Sequence, residues 1–397
     1  MQKLLQINVT ANWGSTGKIA EQIGVAVMKA GWESYIAYGR WANPSQSHLI
    51  KIGGHWNKYL HYLEQFFFDN EGLCSRRATR QLIKRIKELK PDIVQLHNIH
   101  DHYLNYRLLF EYLNRSDIKV VWSFHDCWAF TGHCFHFVTA GCEKWKTNCC
   151  SCPQKNGYPK TMVDRSKKNY ELKRSLFGSC KDLTIVACSD WMSGLVKHSF
   201  LKDKNITVIH NGVDLRVFKQ KTTEIEYAGT YMVLCVSSVW NKAKGLLDIY
   251  KLRELLPSKY RIIIVGLTEK QIRVLPAGIE GAKRTHNVRE LVQFYSSANV
   301  LINPTYADTF PTVNLEALAC GTPVVTYRTG GCPETVDEKT GVIVEQGDVA
   351  AMAEAVRVIC GRNRMQYATD CRNRSEAQFD EEMCFEKYLT LYESLLR

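Results

Sequence analysis

No run of apolar residues in this 397-residue chain approaches the roughly 20 positions a helix needs to cross a bilayer, which excludes a helical membrane-spanning protein. The first residues, MQKLLQINVTANWGSTGKIA, have neither a basic start nor a long apolar block, so they are expected to form a strand entering a loop, not a secretory signal. Low-complexity segments and sequence repeats are also missing. An acidic excess is missing as well: 52 Lys and Arg stand against 40 Asp and Glu, net +12. What remains is a chain 45% hydrophobic and 23% charged, ample for a core and better suited to two domains than to one. With no export signal, its fifteen cysteines are expected as thiols or metal ligands in a reducing compartment, which makes the chain cytoplasmic.

The positive charge is unevenly placed. Residues 1–210 hold 29 Lys and Arg against 17 Asp and Glu, whereas residues 211–397 hold 23 of each. Clusters occur at Arg76, Arg77, Arg80, Lys84, Arg85 and Lys87, and at Lys160, Arg165, Lys167, Lys168, Lys173 and Arg174. Such a half favours an anionic partner, either acidic lipid headgroups on the inner face of a membrane or a phosphorylated acceptor, although solvated helix faces explain it equally well. The basic and aromatic residues form no recognised nucleic-acid motif, so nucleic acid is not an expected partner.

Strand-like runs at Leu4–Val9, Ile93–Leu96, Val120–Phe124, Leu183–Cys188 and Thr207–Ile209 alternate with helical patterns such as Lys18–Lys29 and Gln81–Leu89. After a polar linker, Lys219–Ala228, the pattern restarts with Met232–Val236, Arg261–Val265, Val300–Asn303 and Val324–Tyr327. Alternation of this kind predicts two α/β, doubly wound Rossmann-like domains, with ligands expected in a cleft where they face each other. The stretch Glu376–Leu395 is amphipathic.

The most informative segment is DTFPTVNLEALACGTPVV, from Asp308 to Val325. A loop carboxylate is followed eight positions later by Glu316, then by an apolar helix pattern closed by Gly321 and a buried-strand signal. A loop leading into a helix N-terminus presents backbone N–H groups to an anion. Two acids beside an anion site are suited to the hydroxyls of whatever carries the anion, as in ribose recognition, so a phosphate-linked sugar fits.

These residues, with Phe310, Ala317, Pro323 and Val324, resemble glycosyltransferase family 4, the retaining GT-B enzymes, which carry two acids with seven residues between them and a CGTPVV strand. The resemblance extends over nearly the whole chain and is strongest to bacterial colanic acid and exopolysaccharide transferases. It implies an acceptor-binding domain at 1–210, a nucleotide-sugar domain at 211–375, and a helix at 376–397 that packs back on the first. The first acid here is Asp308, one methylene shorter than the usual Glu.

The resemblance also assigns roles. Lys244, in the segment SSVWNKAKGLLDI, would neutralise the diphosphate leaving group; the arginine usual a few residues earlier is replaced by Ser237, Ser238 and Val239, so Lys242 is the substitute. Asp308 and the Phe310, Pro311 and Thr312 backbone would hold the sugar and Glu316 the ribose, while Asn287, Val288 and Glu290 would meet the base through main-chain and apolar contacts. His125, at the end of its strand, would lie near the transferred sugar and phosphate; His97 and Asn98 end the preceding strand and are candidate acceptor contacts. Gly14 and Gly17, in GSTGK, would let backbone approach the donor phosphate or acceptor; the spacing is not that of a P-loop, since Ile19 replaces the hydroxyl residue that would hold magnesium. Asn211, Gly212, Val213 and Asp214 match a hinge element, and Gly330, Gly331, Pro333 and Glu334 a supporting turn.

Six cysteines fall between Cys127 and Cys152. Cys134, Cys142, Cys149 and Cys152 have the spacing C-x7-C-x6-C-x2-C, suited to a structural zinc site, with free thiols or a disulfide as alternatives.

The expected reaction is therefore retaining hexosyl transfer from a nucleoside diphosphate sugar to a glycan or polyprenyl-diphosphate-linked oligosaccharide in surface polysaccharide or lipopolysaccharide synthesis, with no cofactor for catalysis. Two alternatives stand beside it. One is a phosphorylase with a pyridoxal cofactor, for which no cofactor-lysine segment is recognised; the other is a basic, cysteine-rich nucleic-acid or scaffold protein with a vestigial site.

Overall fold

In the computed structural model, which describes residues 1–221 and 229–397, the short apolar runs become strands of two all-parallel sheets. Residues 222–228 of the expected linker lie outside the described residues. One compact unit comprises Met1–Ile209 with Phe385–Arg397, and the other His210–Cys384.

The first sheet contains β1 (Lys3–Asn8), β2 (Glu33–Tyr38), β3 (His48–Lys51), β4 (Ile93–Leu96), β5 (Lys119–Phe124), β6 (Leu183–Ala187) and β7 (Asn205–Val208), in the order β3-β2-β1-β4-β5-β6-β7. The central strands are buried on both faces, and this is why they read as nearly unbroken apolar runs. The polar exceptions are buried too and each is bonded. Gln6 donates from Nε2 to Ala20 O at 2.7 Å, and Gln95 donates to Ser123 Oγ at 2.7 Å.

The tail belongs to this sheet's polar seam and to an apolar cluster with Leu4, Ile23, Ile93 and Val121. Tyr392 Oη donates to Gln95 Oε1 at 3.0 Å, and Tyr388 Oη lies 2.9 Å from Ser123 Oγ. The amphipathic stretch expected as one element is two helices, Arg364–Gln378 and Glu381–Leu396, broken at the buried Phe379. Residues 376–384 accordingly group with the second unit.

The second sheet contains β8 (Tyr231–Val236), β9 (Tyr260–Val265), β10 (Ile279–Ala282), β11 (Val300–Asn303), β12 (Val324–Tyr327) and β13 (Gly341–Val344), in the order β10-β9-β8-β11-β12-β13. In each sheet the winding reverses once, between β1 and β4 and between β8 and β11. In open parallel sheets ligands bind beyond the carboxyl ends of the strands at such a reversal, so the loops that follow these strands are where a site is sought.

Candidate functional site

In the second unit the loop after β8 and the loop after β11 meet at the switch point. Asn241 accepts from Lys244 N at 3.1 Å and closes a short turn, Lys242–Lys244. Gly245 follows at φ 73°, and a Cβ there would lie 2.1 Å from Pro304 O, so only glycine allows the two loops to touch. Tyr306 N donates to Ala243 O at 2.8 Å across the same junction. Lys244 Nζ then reaches Asp308 Oδ2 at 2.7 Å. Two residues assigned separately, one to a diphosphate and one to a sugar, are thus brought together as an ion pair. Gly330 secures the other side of Asp308: at φ 54°, a Cβ on it would stand 1.7 Å from Asp308 O. This gives the Gly330–Gly331 turn its supporting role.

Asp308 leads through Phe310, which is buried and stacked on His210 with centroids 4.8 Å apart, into the helix Thr312–Ala319. Pro311 at its start offers no side-chain cap, and no acid stands in its first turn. Its N-terminus therefore keeps its partial positive charge available. Glu316, on this helix, accepts from Tyr295 Oη at 2.8 Å.

A buried amide chain, unanticipated from the sequence, locks this arrangement. Asn303 Nδ2 donates to Asn314 Oδ1 and Asn314 Nδ2 to Thr335 Oγ1, both at 2.9 Å, joining the end of β11, the helix and the turn after β12. In the sequence Asn314 is one of three polar residues of the helix TVNLEALA, with Thr312 and Glu316, and nothing in the pattern sets it apart.

Lys242 is exposed. Asn287 caps the helix Val288–Ser297 by accepting from Glu290 N at 3.0 Å, and Glu290 accepts from His286 N at 2.9 Å. Their side chains are thereby committed to the cap, while Val288 is exposed. Asn211–Asp214 is held by local structure: Val213 N donates to Phe379 O at 2.8 Å, and Asp214 Oδ1 accepts from Arg216 N at 2.9 Å.

In the first unit, β4 and β5 end on His97 and His125, whose rings stack 5.3 Å apart with Nδ1 of His97 3.0 Å from Nε2 of His125. The protons can be assigned. Gln6 must donate from Nε2 to the Ala20 carbonyl, so its Oε1 faces His97 Nε2 at 3.0 Å and requires a proton there. His97 Nδ1 is then an acceptor, and His125 holds its proton on Nε2. Burial pushes both down, His125 to about 4 and His97 well below its ordinary value with His125 adding repulsion. Next to them, burial opposes ionisation of Asp126, but His100 at 2.8 Å prevails and holds it at about 2. Asn98 is fixed through its backbone, its N–H donating to Asn8 Oδ1 at 3.3 Å.

The GSTGK segment opens the helix Gly14–Lys29 and forms its first turn. A Cβ on Gly17 would stand 2.6 Å from Thr10 Oγ1, so this glycine seats the helix against the loop that follows β1, whereas Gly14, at φ 68°, faces open space.

Cys134, Cys142, Cys149 and Cys152 line one cavity, together with His133. His133 is 3% exposed; its Nδ1 lies 2.7 Å from Asp69 Oδ1, and its Nε2 has no partner. Gly132 N donates to Cys149 Sγ at 3.3 Å. All four are free thiols, and burial raises Cys134 to about 12 and Cys149 to about 11. Among the described residues no three of these ligand atoms lie within 4.8 Å of one another.

Comparison with known proteins bears on the family and the fold. A glycosyltransferase family 4 model matches residues 17–217, and a glycosyl transferases group 1 model matches residues 230–361. A colanic acid biosynthesis glycosyl transferase of Escherichia coli K12, WcaC, is 23% identical over 99% of this chain and 100% of its own. Among solved structures, sucrose-phosphate synthase of Thermosynechococcus elongatus superposes with TM-score 0.75 at 16% identity, covering 100% and 99% of the two chains. HepE of Anabaena in complex with UDP superposes with TM-score 0.66 at 14% identity, covering 99% and 100%. The α/β fold of two Rossmann-like units is that of the GT-B glycosyltransferases, and the chain belongs to glycosyltransferase family 4.

Proposed function

We propose that the protein transfers a hexosyl group, with retention, from a nucleoside diphosphate sugar to a glycan or lipid-linked oligosaccharide in surface polysaccharide synthesis. The observation that carries this reading is the Lys244–Asp308 pair at 2.7 Å beside an uncapped helix N-terminus. A diphosphate leaving group needs fixed positive charge as the sugar carbon gains oxocarbenium character, and Lys244, Lys242 and the first N–H groups of the Thr312–Ala319 helix supply it without a metal. Released from Lys244, Asp308 accepts from sugar hydroxyls along with the Phe310–Thr312 backbone. Glu316 accepts from the ribose, and the Asn287–Val288 backbone meets the base. The departing phosphate takes the acceptor proton on the same face. His125, neutral and fixed by His97, is a hydrogen-bonding contact for a substrate hydroxyl.

The UDP bound by HepE makes UDP-sugars the first donors to test, and WcaC's description supports a polysaccharide acceptor. The alternative of a nucleic-acid or scaffold protein finds no support among these relatives. Thermal shift with a panel of nucleotide sugars in EDTA tests the reading. One donor should raise the melting temperature of the wild type and not of Glu316→Ala. A shift that requires magnesium, or one that survives in Glu316→Ala, contradicts it.

A structural zinc held by Cys134, Cys142, Cys149 and Cys152 is proposed for the stretch 127–165. Its support is the shared cavity and the unpartnered His133 Nε2 in the cavity wall, in a segment whose only regular elements from 127 to 165, among the described residues, are three single turns. Closing on an ion requires side-chain rotation from the observed positions.

A further inference from the structure

The helix His55–Phe68, HWNKYLHYLEQFFF, is turned inside out. Asn57, His61 and Gln65, spaced by four residues, form its inward stripe. Asn57 Nδ2 donates to Ser75 Oγ at 2.8 Å, His61 Nδ1 lies 2.8 Å from the same oxygen, His61 Nε2 accepts from Gly72 N at 3.0 Å, and Gln65 donates to Pro159 O at 3.2 Å. The outward stripe runs through Trp56, Tyr59, Leu60, Leu63 and Phe67, one face at helical spacing. Trp56 is 79% exposed, Tyr59 55%, Leu60 58% and Phe67 45%. At the C-terminal end Met162 N donates to Phe66 O at 2.8 Å, and exposed Met162 and Val163 extend the patch. An ordinary surface helix does the reverse, so this face is built to leave water.

Charge identifies its occupant. Ser75, which anchors Asn57 and His61, immediately precedes the helix Arg76–Leu89, whose first turns expose Arg76, Arg77 and Arg80. The helix His55–Phe68 itself carries Lys58 against a single acid, Glu64. Tryptophan, tyrosine and leucine on one exposed helix face, with exposed arginines at the start of the helix that follows, is the composition of a surface that lies in a lipid headgroup region. We propose that this face docks on an anionic lipid surface, inserting the aromatic stripe while the arginines meet the headgroups.

Flotation of the full chain with phosphatidylglycerol and with phosphatidylcholine vesicles, without donor or acceptor, tests this separately from glycosyl transfer. The wild type should partition to the anionic vesicles and weaken with added salt. Joint replacement Trp56→Ser, Leu60→Ser and Phe67→Ser should lower partitioning by about 1000-fold, each large apolar side chain being worth roughly tenfold. Because the three are exposed, the melting temperature should stay unchanged. Arg76→Gln, Arg77→Gln and Arg80→Gln should each lower partitioning roughly five-fold. No vesicle binding, equal binding to both lipids, or a dimer in sedimentation that the serine variant dissolves would each overturn the proposal, the last in favour of a second copy of the chain.

Discussion

Replacing Lys244 by alanine separates a structural lysine from a catalytic one. In the unliganded protein its ammonium is paired with Asp308 at 2.7 Å, with side chains 33% and 20% exposed. A pair this accessible is screened by solvent and contributes no more than about 1 kcal/mol to stability. The loop itself is held by other contacts, namely the Asn241 cap, the fit of Gly245 against Pro304 and the Tyr306–Ala243 bond. Melting should therefore change little. A charge-assisted contact that strengthens as the diphosphate departs is worth about 3–4 kcal/mol in the transition state, so kcat should fall roughly 100- to 1000-fold. Nucleotide release measured beside a melting curve reads both quantities. A kcat within about threefold of wild type with the fold intact would refute the role, and a large fall in melting temperature would reassign the lysine to the scaffold.

Gly245→Ala should lose donor binding and lower the melting temperature, since its Cβ would collide with Pro304 O at 2.1 Å and its φ of 73° strains alanine; donor titration and a melt check this. His97 and His125 are held neutral, His125 at about 4 against an ordinary 6.5. Below pH 6.5 the unfolded chain therefore binds protons that the native one does not, and stability is full above that pH and declines as pH falls towards 4. Each such proton costs about 1.4 kcal/mol per pH unit, so His97→Gln should flatten the acid-side slope of urea midpoints; an unchanged slope contradicts the assignment. Elemental analysis should find one zinc per chain, reduced in Cys142→Ser and Cys152→Ser, and metal-free folded protein would remove the site.

Much of this architecture was legible as pattern. Ile93–Leu96 and Val324–Tyr327 stand out because strands buried on both faces leave no room for polar residues other than bonded ones. The strands that escaped notice, β2, β3, β10 and β13, lie towards the sheet edges; His48–Lys51 is almost wholly exposed, so no apolar run marks it. Lys244 and Asp308 were each recognisable, yet their pairing was not, because it depends on two loops, with the paired residues 64 positions apart, converging where the strand order reverses. Gln6, Asn303 and Asn314 were hidden for a related reason: a buried amide has meaning only through its partner. The helix His55–Phe68 was invisible to a search for apolar inward faces, since its inward face is polar.

The central claim, that fixed positive groups grip a nucleoside diphosphate without magnesium, is tested most directly by calorimetric titration of UDP and other nucleoside diphosphates into chelator-treated protein. The account predicts saturable binding of one nucleotide in EDTA, weakened at least tenfold in Lys244→Ala. Binding that appears only when magnesium is restored, or that is as tight in Lys244→Ala as in wild type, would contradict it.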